Sequence, residues 1–116
     1  MNFQMTKEQE LIQRKVREFA ENAVAPLSVE LDATGAFPSD LVKRMGKLGI
    51  MGLPFPKEYG GAGEDNISYA IAVEELSRVD GGVGVILSAH TSLCCWPIFA
   101  FGTEEQKQKY LVPLAK

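Results

Sequence analysis

The sequence has few of the residues that build disulfide frameworks and metal clusters. Its 116 residues include a single histidine, His90, and two cysteines that are adjacent, Cys94 and Cys95. Adjacent cysteines cannot form a disulfide framework, and one histidine beside them gives little reason to expect a metal cluster. The sequence therefore predicts a chain without a metal site, held together by an ordinary hydrophobic core.

Basic residues are also scarce. Twelve lysines and arginines stand against 15 aspartates and glutamates, which gives a net charge of −3. A surface that binds nucleic acid needs a basic face, so nucleic acid is not expected as a partner. The first residues contain neither the basic region nor the apolar region of an export signal, and a cytoplasmic location is expected.

A long apolar stretch from Val83 to Phe101 is the segment that a hydropathy scan would take for a membrane span. It contains Pro97 and several polar residues, and no basic residue directly flanks it. A helix that is apolar all round is also typical of a protein core. We therefore expect no interaction with a membrane and place this helix at the centre of the fold.

The spacing of the apolar residues predicts an all-α fold with about five helices and no strand. The helices begin near Thr6, Pro38, Asp65 or Asn66, Val83 and Thr103. Thr6 and Thr103 are each followed three residues later by glutamine, which is the pattern of a capping box. Glycines and prolines punctuate residues 49–56, which are predicted to be an extended, partly buried connection. Pro97 is expected to kink its helix or end its regular part, and Pro113 to end the last helix.

Candidate catalytic groups are few. His90 and Cys94 are four residues apart, so they share a helical face and resemble a base–nucleophile pair. No oxyanion donors and no third orienting group accompany them, and a buried cysteine is usually a small apolar residue. Glu74 and Glu75 point about 100° apart on their helix, so one is expected in solvent and the other in a salt bridge. No catalytic residue is therefore predicted.

Several short motifs occur in an order that resembles the acyl-CoA dehydrogenases. They are Phe37-Pro38, Leu48-Gly49-Ile50-Met51-Gly52-Leu53-Pro54, the segment 56–63, Val73-Glu74-Glu75-Leu76-Ser77-Arg78, Ser92-Leu93, Pro97-Ile98, the segment 102–111 and Pro113-Leu114. The resemblance extends over essentially the whole chain. Through residues 74–78 and 86–93 the sequence looks most like the bacterial short-chain (butyryl-CoA) dehydrogenases.

The resemblance implies that residues 1–116 are the N-terminal α-helical domain of a three-domain FAD enzyme. In that family a glutamate base removes the α-proton of an acyl-CoA, FAD takes the β-hydride, and the electrons leave to electron-transferring flavoprotein. The base and the flavin-binding segments belong to the middle and C-terminal domains, which have no counterpart in this sequence. The chain alone is therefore expected to bind no FAD and to be non-catalytic. The alternative interpretation is a self-standing helical module that docks a flavoprotein or a partner helix.

The resemblance also implies two functional surfaces. The far wall of the acyl pocket maps to Ile86, Ala89, His90 and Leu93. The groove that docks electron-transferring flavoprotein maps to Ile12, Leu48, Gly49, Ile50, Ala62 and Ala72. For both sets the alternative is that the residues belong to the hydrophobic core. The parent enzyme is expected to be a homo-oligomer, usually a tetramer. The chain alone is expected to self-associate through an apolar patch left exposed on the helix 83–101 or on the connection 49–56.

Overall fold

The computed structural model describes all residues from Met1 to Lys116, and it contains helices and no strand. The α-helical segments are α1 (Lys7–Phe19), α2 (Ala25–Thr34), α3 (Ser39–Lys47), α4 (Asn66–Val79), α5 (Gly81–Ala89), α6 (Trp96–Phe101), α7 (Glu104–Gln106) and α8 (Val112–Ala115). Because short π-turns join several of them, they form five continuous rods over residues 7–34, 39–47, 66–79, 81–101 and 104–115. The predicted all-α fold with five helices is confirmed.

Side-chain caps fix where the rods begin. Thr6 and Gln9 form a complete capping box at the start of α1, and Thr103 and Gln106 form another at the start of α7. Each box satisfies backbone N–H groups that have no partner inside the helix. The Asp80 side chain accepts a hydrogen bond from a backbone N–H in the first turn of α5, which allows α5 to follow α4 almost without a loop. Both capping boxes agree with the sequence prediction.

Three π-turns lie inside the rods, at Ala20–Val24, His90–Cys95 and Lys107–Leu111. Each ends two residues before a proline, namely Pro26, Pro97 and Pro113. A proline inside a helix has no N–H to donate, and its ring clashes with the carbonyl four residues earlier. In each case the residue before the proline donates to the carbonyl five residues earlier, as Trp96 does to Thr91. The regular α-helix ends before Pro97 as expected, whereas the prediction that Pro113 ends the last helix is wrong, because α8 continues to Ala115.

The main core lies where α1, α3, α4, α5 and the connection after α3 meet. Its buried residues are Val16, Phe19, Ala20, Ala23, Val24, Leu41, Met45, Ile50, Met51, Leu53, Ala72, Leu76, Val83 and Leu87. A smaller cluster of Phe55, Tyr59, Cys95 and Leu111 joins the end of the connection to the C-terminal half of the chain. The connection 49–56 is therefore well buried rather than partly exposed. It is also not extended, since Ile50–Gly52 forms a 3₁₀ turn.

The apolar rod 81–101 differs from the prediction in its burial. Its inner face carries Val83, Leu87, Thr91 and Cys95, all of which are buried. Its outer face carries Val85, Leu93, Trp96 and Phe101, all of which are exposed. By length and composition alone this rod could cross a membrane, and only 28% of its most apolar window is buried. The expectation of a fully enclosed helix is therefore wrong, and the exposed apolar patch predicted for this helix is present.

Candidate functional site

Three open grooves lie on the surface. The first, of about 690 Å³, lies between the end of α2, residues 35–38 and the start of α5, and Ile86 lines it. The second, of about 470 Å³, lies between α1 and α3 and includes Leu48. The third, of about 480 Å³, lies between residues 64–69 and the rod 81–101 and includes Trp96. Two of the three grooves therefore border the rod that sequence analysis identified as the acyl-pocket wall.

Of the four residues predicted to form the acyl-pocket wall, one lines a groove. Ile86 is half-buried in the first groove. Ala89 and His90 are half-buried, Leu93 is 77% exposed, and none of these three lines any of the three grooves.

The His90 imidazole faces the C-terminal helix. Its Nε2 atom lies 2.9 Å from the backbone carbonyl oxygen of Leu114, the atom to which a protonated Nε2 donates. The same Nε2 lies 3.4 Å from Sγ of Cys95. Regular helical spacing predicts that His90 pairs with Cys94, four residues on. In the structure its hydrogen-bonded partner is Cys95, five residues on. The π-turn explains the difference, because its wider turn brings residue i+5 back over residue i.

The two adjacent cysteines have opposite environments. Cys94 is exposed and Cys95 is fully buried. Burial raises the pKa of the Cys95 thiol to about 12, because a thiolate loses its hydration there. Cys95 is therefore a protonated thiol at neutral pH, and such a group is a poor nucleophile.

The six residues predicted to dock a partner differ in burial. Ile50 and Ala72 lie in the core, where no partner side chain can touch them. Ile12, Leu48 and Ala62 are half-buried and pack on the outside of that core. Gly49 adopts a left-handed conformation with φ of 77°, which lets the chain turn at the end of α3.

The second groove has an apolar floor and a positively charged rim. Phe19, Ala23 and Leu48 supply the apolar surface, and the rim carries Lys15, Arg44 and Lys47 against one acidic side chain, Glu18. The Arg44 guanidinium lies 5.4 Å from the centre of the Phe19 ring, a cation–π contact that holds it over the groove. An apolar side chain with acidic neighbours would complement this surface. The basic rim was not found from the sequence, because Lys15 comes from α1 and the other two residues from α3.

A buried carboxylate links α4 to α1. Glu75 is 2% exposed and accepts hydrogen bonds from Arg17 and Gln13, while Glu74 is exposed. The hydrogen bond from Arg17 is the main cause that lowers the pKa of Glu75 below 4.5. The expectation of one solvated and one salt-bridged glutamate is confirmed.

The third groove contains polar groups that sequence analysis did not single out. Thr91 lines it and is 3% exposed, and its hydroxyl oxygen has no hydrogen-bond partner. The hydroxyl of Tyr69 donates to the carbonyl of Ser88, which joins α4 to α5. A spacing of four residues places Thr91 with Val83 and Leu87 on the inner face of the rod, but the sequence does not reveal that its hydroxyl has no hydrogen-bond partner.

Comparison with known proteins agrees with the resemblance seen in the sequence. A family model described as "Acyl-CoA dehydrogenase, N-terminal domain" matches residues 6–116. The chain is 66% identical, over all of its length, to the short-chain specific acyl-CoA dehydrogenase of Clostridium acetobutylicum, and it spans 31% of that relative. The partial span means that this chain corresponds to less than a third of the relative's length.

Two solved structures share the fold. The butyryl-CoA dehydrogenase of Megasphaera elsdenii superposes with a TM-score of 0.94 at 43% identity, covering 99% of this chain and 31% of that chain. A chain in a structure of the electron transferring flavoprotein of Acidaminococcus fermentans superposes with a TM-score of 0.96 at 51% identity. That match covers 99% of this chain and 30% of the other.

Proposed function

Because this chain belongs to the acyl-CoA dehydrogenase family and matches its N-terminal domain, we propose that it serves in a short-chain acyl-CoA dehydrogenase. The observation that carries this proposal is the 66% identity, over every residue of the chain, to a short-chain specific enzyme. The substrate would be a short-chain acyl-CoA, oxidised between its α and β carbons. The electrons would pass to electron-transferring flavoprotein, and the working enzyme would be a cytoplasmic homo-oligomer.

FAD is the hydride acceptor that the family resemblance implies for the whole enzyme. The grooves beside the rod 81–101 do not fit its pyrophosphate. The first groove carries Asp32 and Asp80, the third carries Glu64 and Asp65, and neither has a basic side chain. Phosphate groups are bound by basic side chains or by clusters of free backbone N–H groups, and carboxylates repel them. We therefore assign no residue of this chain to FAD and propose that the chain alone is non-catalytic.

The contribution of this chain to the reaction would be an apolar surface for the acyl group. Ile86, Ala89 and Leu93 present aliphatic side chains along the rod 81–101. Contact with such side chains removes an acyl chain from water, and each buried methylene contributes about 0.8 kcal/mol. His90, the fourth residue of the predicted pocket wall, would not contact the acyl group. Its Nε2 is engaged with Leu114, so it would position the rod against α8 rather than meet the substrate.

The second groove is the docking site that we propose for electron-transferring flavoprotein. Leu48 belongs to the predicted docking set and lies in the floor of this groove. The three basic side chains on the rim would steer an acidic segment of the partner, while the apolar floor would receive one of its aliphatic side chains. The similarity to a chain in a structure of an electron transferring flavoprotein supports this choice of partner.

The proposed activity is tested on the polypeptide purified from its own cells. Its intact mass and visible spectrum are measured, followed by butyryl-CoA-dependent reduction of electron-transferring flavoprotein. A polypeptide of the length of the relatives, with a flavin band and butyryl-CoA activity, is the expected result. A mass of 12.7 kDa with no flavin band would instead favour the self-standing binding module.

Docking is tested with a matched pair of charge reversals on α3. Lys47 lines the second groove, and Lys43 is exposed on the same helix outside it. Lys47→Glu should weaken the binding of electron-transferring flavoprotein several-fold and lower its association rate, while Lys43→Glu should change binding little. Leu48→Ala tests the apolar floor and should also weaken binding. Equal effects of the two lysine variants would contradict a site in this groove.

A further inference from the structure

The single histidine and both cysteines of the chain lie together at the π-turn. The ligand atoms of His90, Cys94 and Cys95 all lie within 4.8 Å of one another. The sequence predicts no metal cluster, because it has a single histidine and only two cysteines, and the pair that helical spacing suggests is His90 with Cys94 rather than with Cys95. In a regular α-helix the five-residue spacing of His90 and Cys95 would turn their side chains about 140° away from each other. The π-turn before Pro97 removes that angular separation and brings three soft ligands to one point.

The surroundings hold this group in place and leave it accessible. Cys95 is fully buried in the small cluster with Phe55, Tyr59 and Leu111, so its sulfur has a fixed position. His90 is half-buried, and its Nε2 contacts the Cys95 sulfur at 3.4 Å. Cys94 is exposed, which provides an entrance from solvent. One fixed ligand, one oriented ligand and one accessible ligand make up a site that a small cation can enter.

We propose that His90, Cys94 and Cys95 bind one soft monovalent cation of the Cu(I) type. Thiolate sulfur and imidazole nitrogen are the ligands that Cu(I) prefers, and no carboxylate belongs to this group. Three ligands suit Cu(I), whereas a structural Zn²⁺ site takes four. The three ligand atoms already lie within 4.8 Å of one another, and a shared cation would draw them closer together.

Binding is a proton exchange with no change of oxidation state. Both thiols release their protons to solvent, two sulfur–metal bonds and one nitrogen–metal bond form, and the complex carries a net charge of −1. When Nε2 binds the cation, the imidazole proton resides on Nδ1, and the Leu114 carbonyl gives up its contact with Nε2. None of these steps depends on the proposed dehydrogenase function.

The test is an anaerobic titration of the protein with Cu(I) in competition with a chromophoric Cu(I) chelator. We expect one Cu(I) per chain. Cys94→Ser should lower the affinity by about tenfold or more, since even outer partners of metal ligands contribute that much. Met5→Leu is the matched control, because it removes an exposed sulfur outside the site, and it should retain the affinity.

Folding is monitored by far-ultraviolet circular dichroism in each variant. Cys95→Ser places a hydroxyl in an apolar cluster and can unfold the chain, whereas the exposed Cys94 variant keeps the core intact. Absence of one-to-one uptake, or equal uptake by the folded Cys94→Ser variant, would overturn the proposal. Tighter binding of Zn²⁺ than of Cu(I) in the same titration would overturn the assignment to a soft monovalent cation.

Discussion

Arg17 and Glu75 form a bidentate ion pair that joins α1 to α4. Nε of Arg17 donates to Oε2 of Glu75 at 3.0 Å, and Nη2 donates to Oε1 at 2.8 Å. Glu75 is buried, whereas the Arg17 side chain is 47% exposed, so the arginine reaches from the surface to a carboxylate in the interior. Arg78 approaches the same carboxylate at 3.5 Å. The pair therefore links the first long helix to α4, beside the apolar contacts of Val16 and Phe19.

Arg17→Met should destabilise the fold, because it leaves the buried Glu75 carboxylate with weaker partners. We expect the free energy of unfolding to fall by about 1–3 kcal/mol, below the full cost of breaking a fully buried pair, since Arg17 is half-exposed. Urea denaturation measures the change. Glu74→Ala, which alters the exposed neighbour of Glu75, should change stability by less than about 0.5 kcal/mol. Similar effects of the two variants would show that the ion pair contributes little.

Stability should fall in acid. The pKa of Glu75 is lowered from 4.5 mainly by its hydrogen bond with Arg17, and that of Asp65 is lowered from 3.8 mainly by the hydrogen bond that it accepts from the backbone N–H of Ser68. Both folded-state pKa values lie below the unfolded ones, so the unfolded chain binds more protons as the pH drops. The two carboxylates make their full contribution to the free energy of unfolding when the pH is above their pKa values in the unfolded chain. That contribution is lost as the pH falls through their lower pKa values in the folded chain. Urea midpoints measured from about pH 7 to about pH 3 should decline below pH 4.5, with a smaller slope in Glu75→Gln. If the urea midpoint of Glu75→Gln fell with pH as steeply as that of the unchanged chain, Glu75 would not contribute to the loss of stability in acid.

Gly52→Ala should be more harmful than an ordinary glycine substitution. A β-carbon at position 52 would collide with the backbone of Ala115, because the 3₁₀ turn passes directly against α8. We expect a loss of about 1–3 kcal/mol, as for other overpacked sites. Gly81→Ala is the control: its β-carbon meets no atom within 4 Å, and alanine favours the start of α5. Thermal unfolding compares the two. A stable Gly52→Ala chain would mean that α8 can move away freely.

The exposed apolar face of the rod 81–101 should cause self-association. Val85, Trp96 and Phe101 are all more than half exposed, which is unusual for side chains of this size on one helix. Sedimentation velocity over a concentration series should show dimers or larger species, and the double variant Val85→Glu with Phe101→Glu should reduce them. Val29→Glu, on α2, is the control because Val29 is an equally exposed apolar residue. A strictly monomeric chain at high concentration would contradict this prediction.

Local signals in the sequence located most of the fold. Thr6 with Gln9 and Thr103 with Gln106 marked two helix starts, because a capping box involves residues only three apart. Apolar spacing marked the remaining rods, since helical periodicity is a property of neighbouring residues. The ordered motifs marked the family. The caps and the apolar spacing can each be recognised within one segment, whereas the family is marked by the order of motifs along the whole chain.

The candidate sites were harder to predict because they combine distant segments. The basic rim of the second groove joins Lys15 on α1 to Arg44 and Lys47 on α3, which lie about thirty residues later in the sequence. The pairing of His90 with Cys95 depends on a π-turn, whose place in the rod reflects both Pro97 and the packing of Cys95 beside Leu111. A regular α-helix, with 3.6 residues per turn, predicts Cys94 instead as the partner of His90.

The sequence by itself determined the all-α class, the two capping boxes, the membership in the family and the division of Glu74 and Glu75 between solvent and salt bridge. Tertiary structure alone decided that the rod 81–101 keeps an exposed face, that the connection 49–56 is buried in a compact turn, and that three soft ligands meet at one point. The physical reason is the range of the forces involved. Caps and helical periodicity act within a few residues, whereas burial and side-chain convergence depend on which distant surfaces come together.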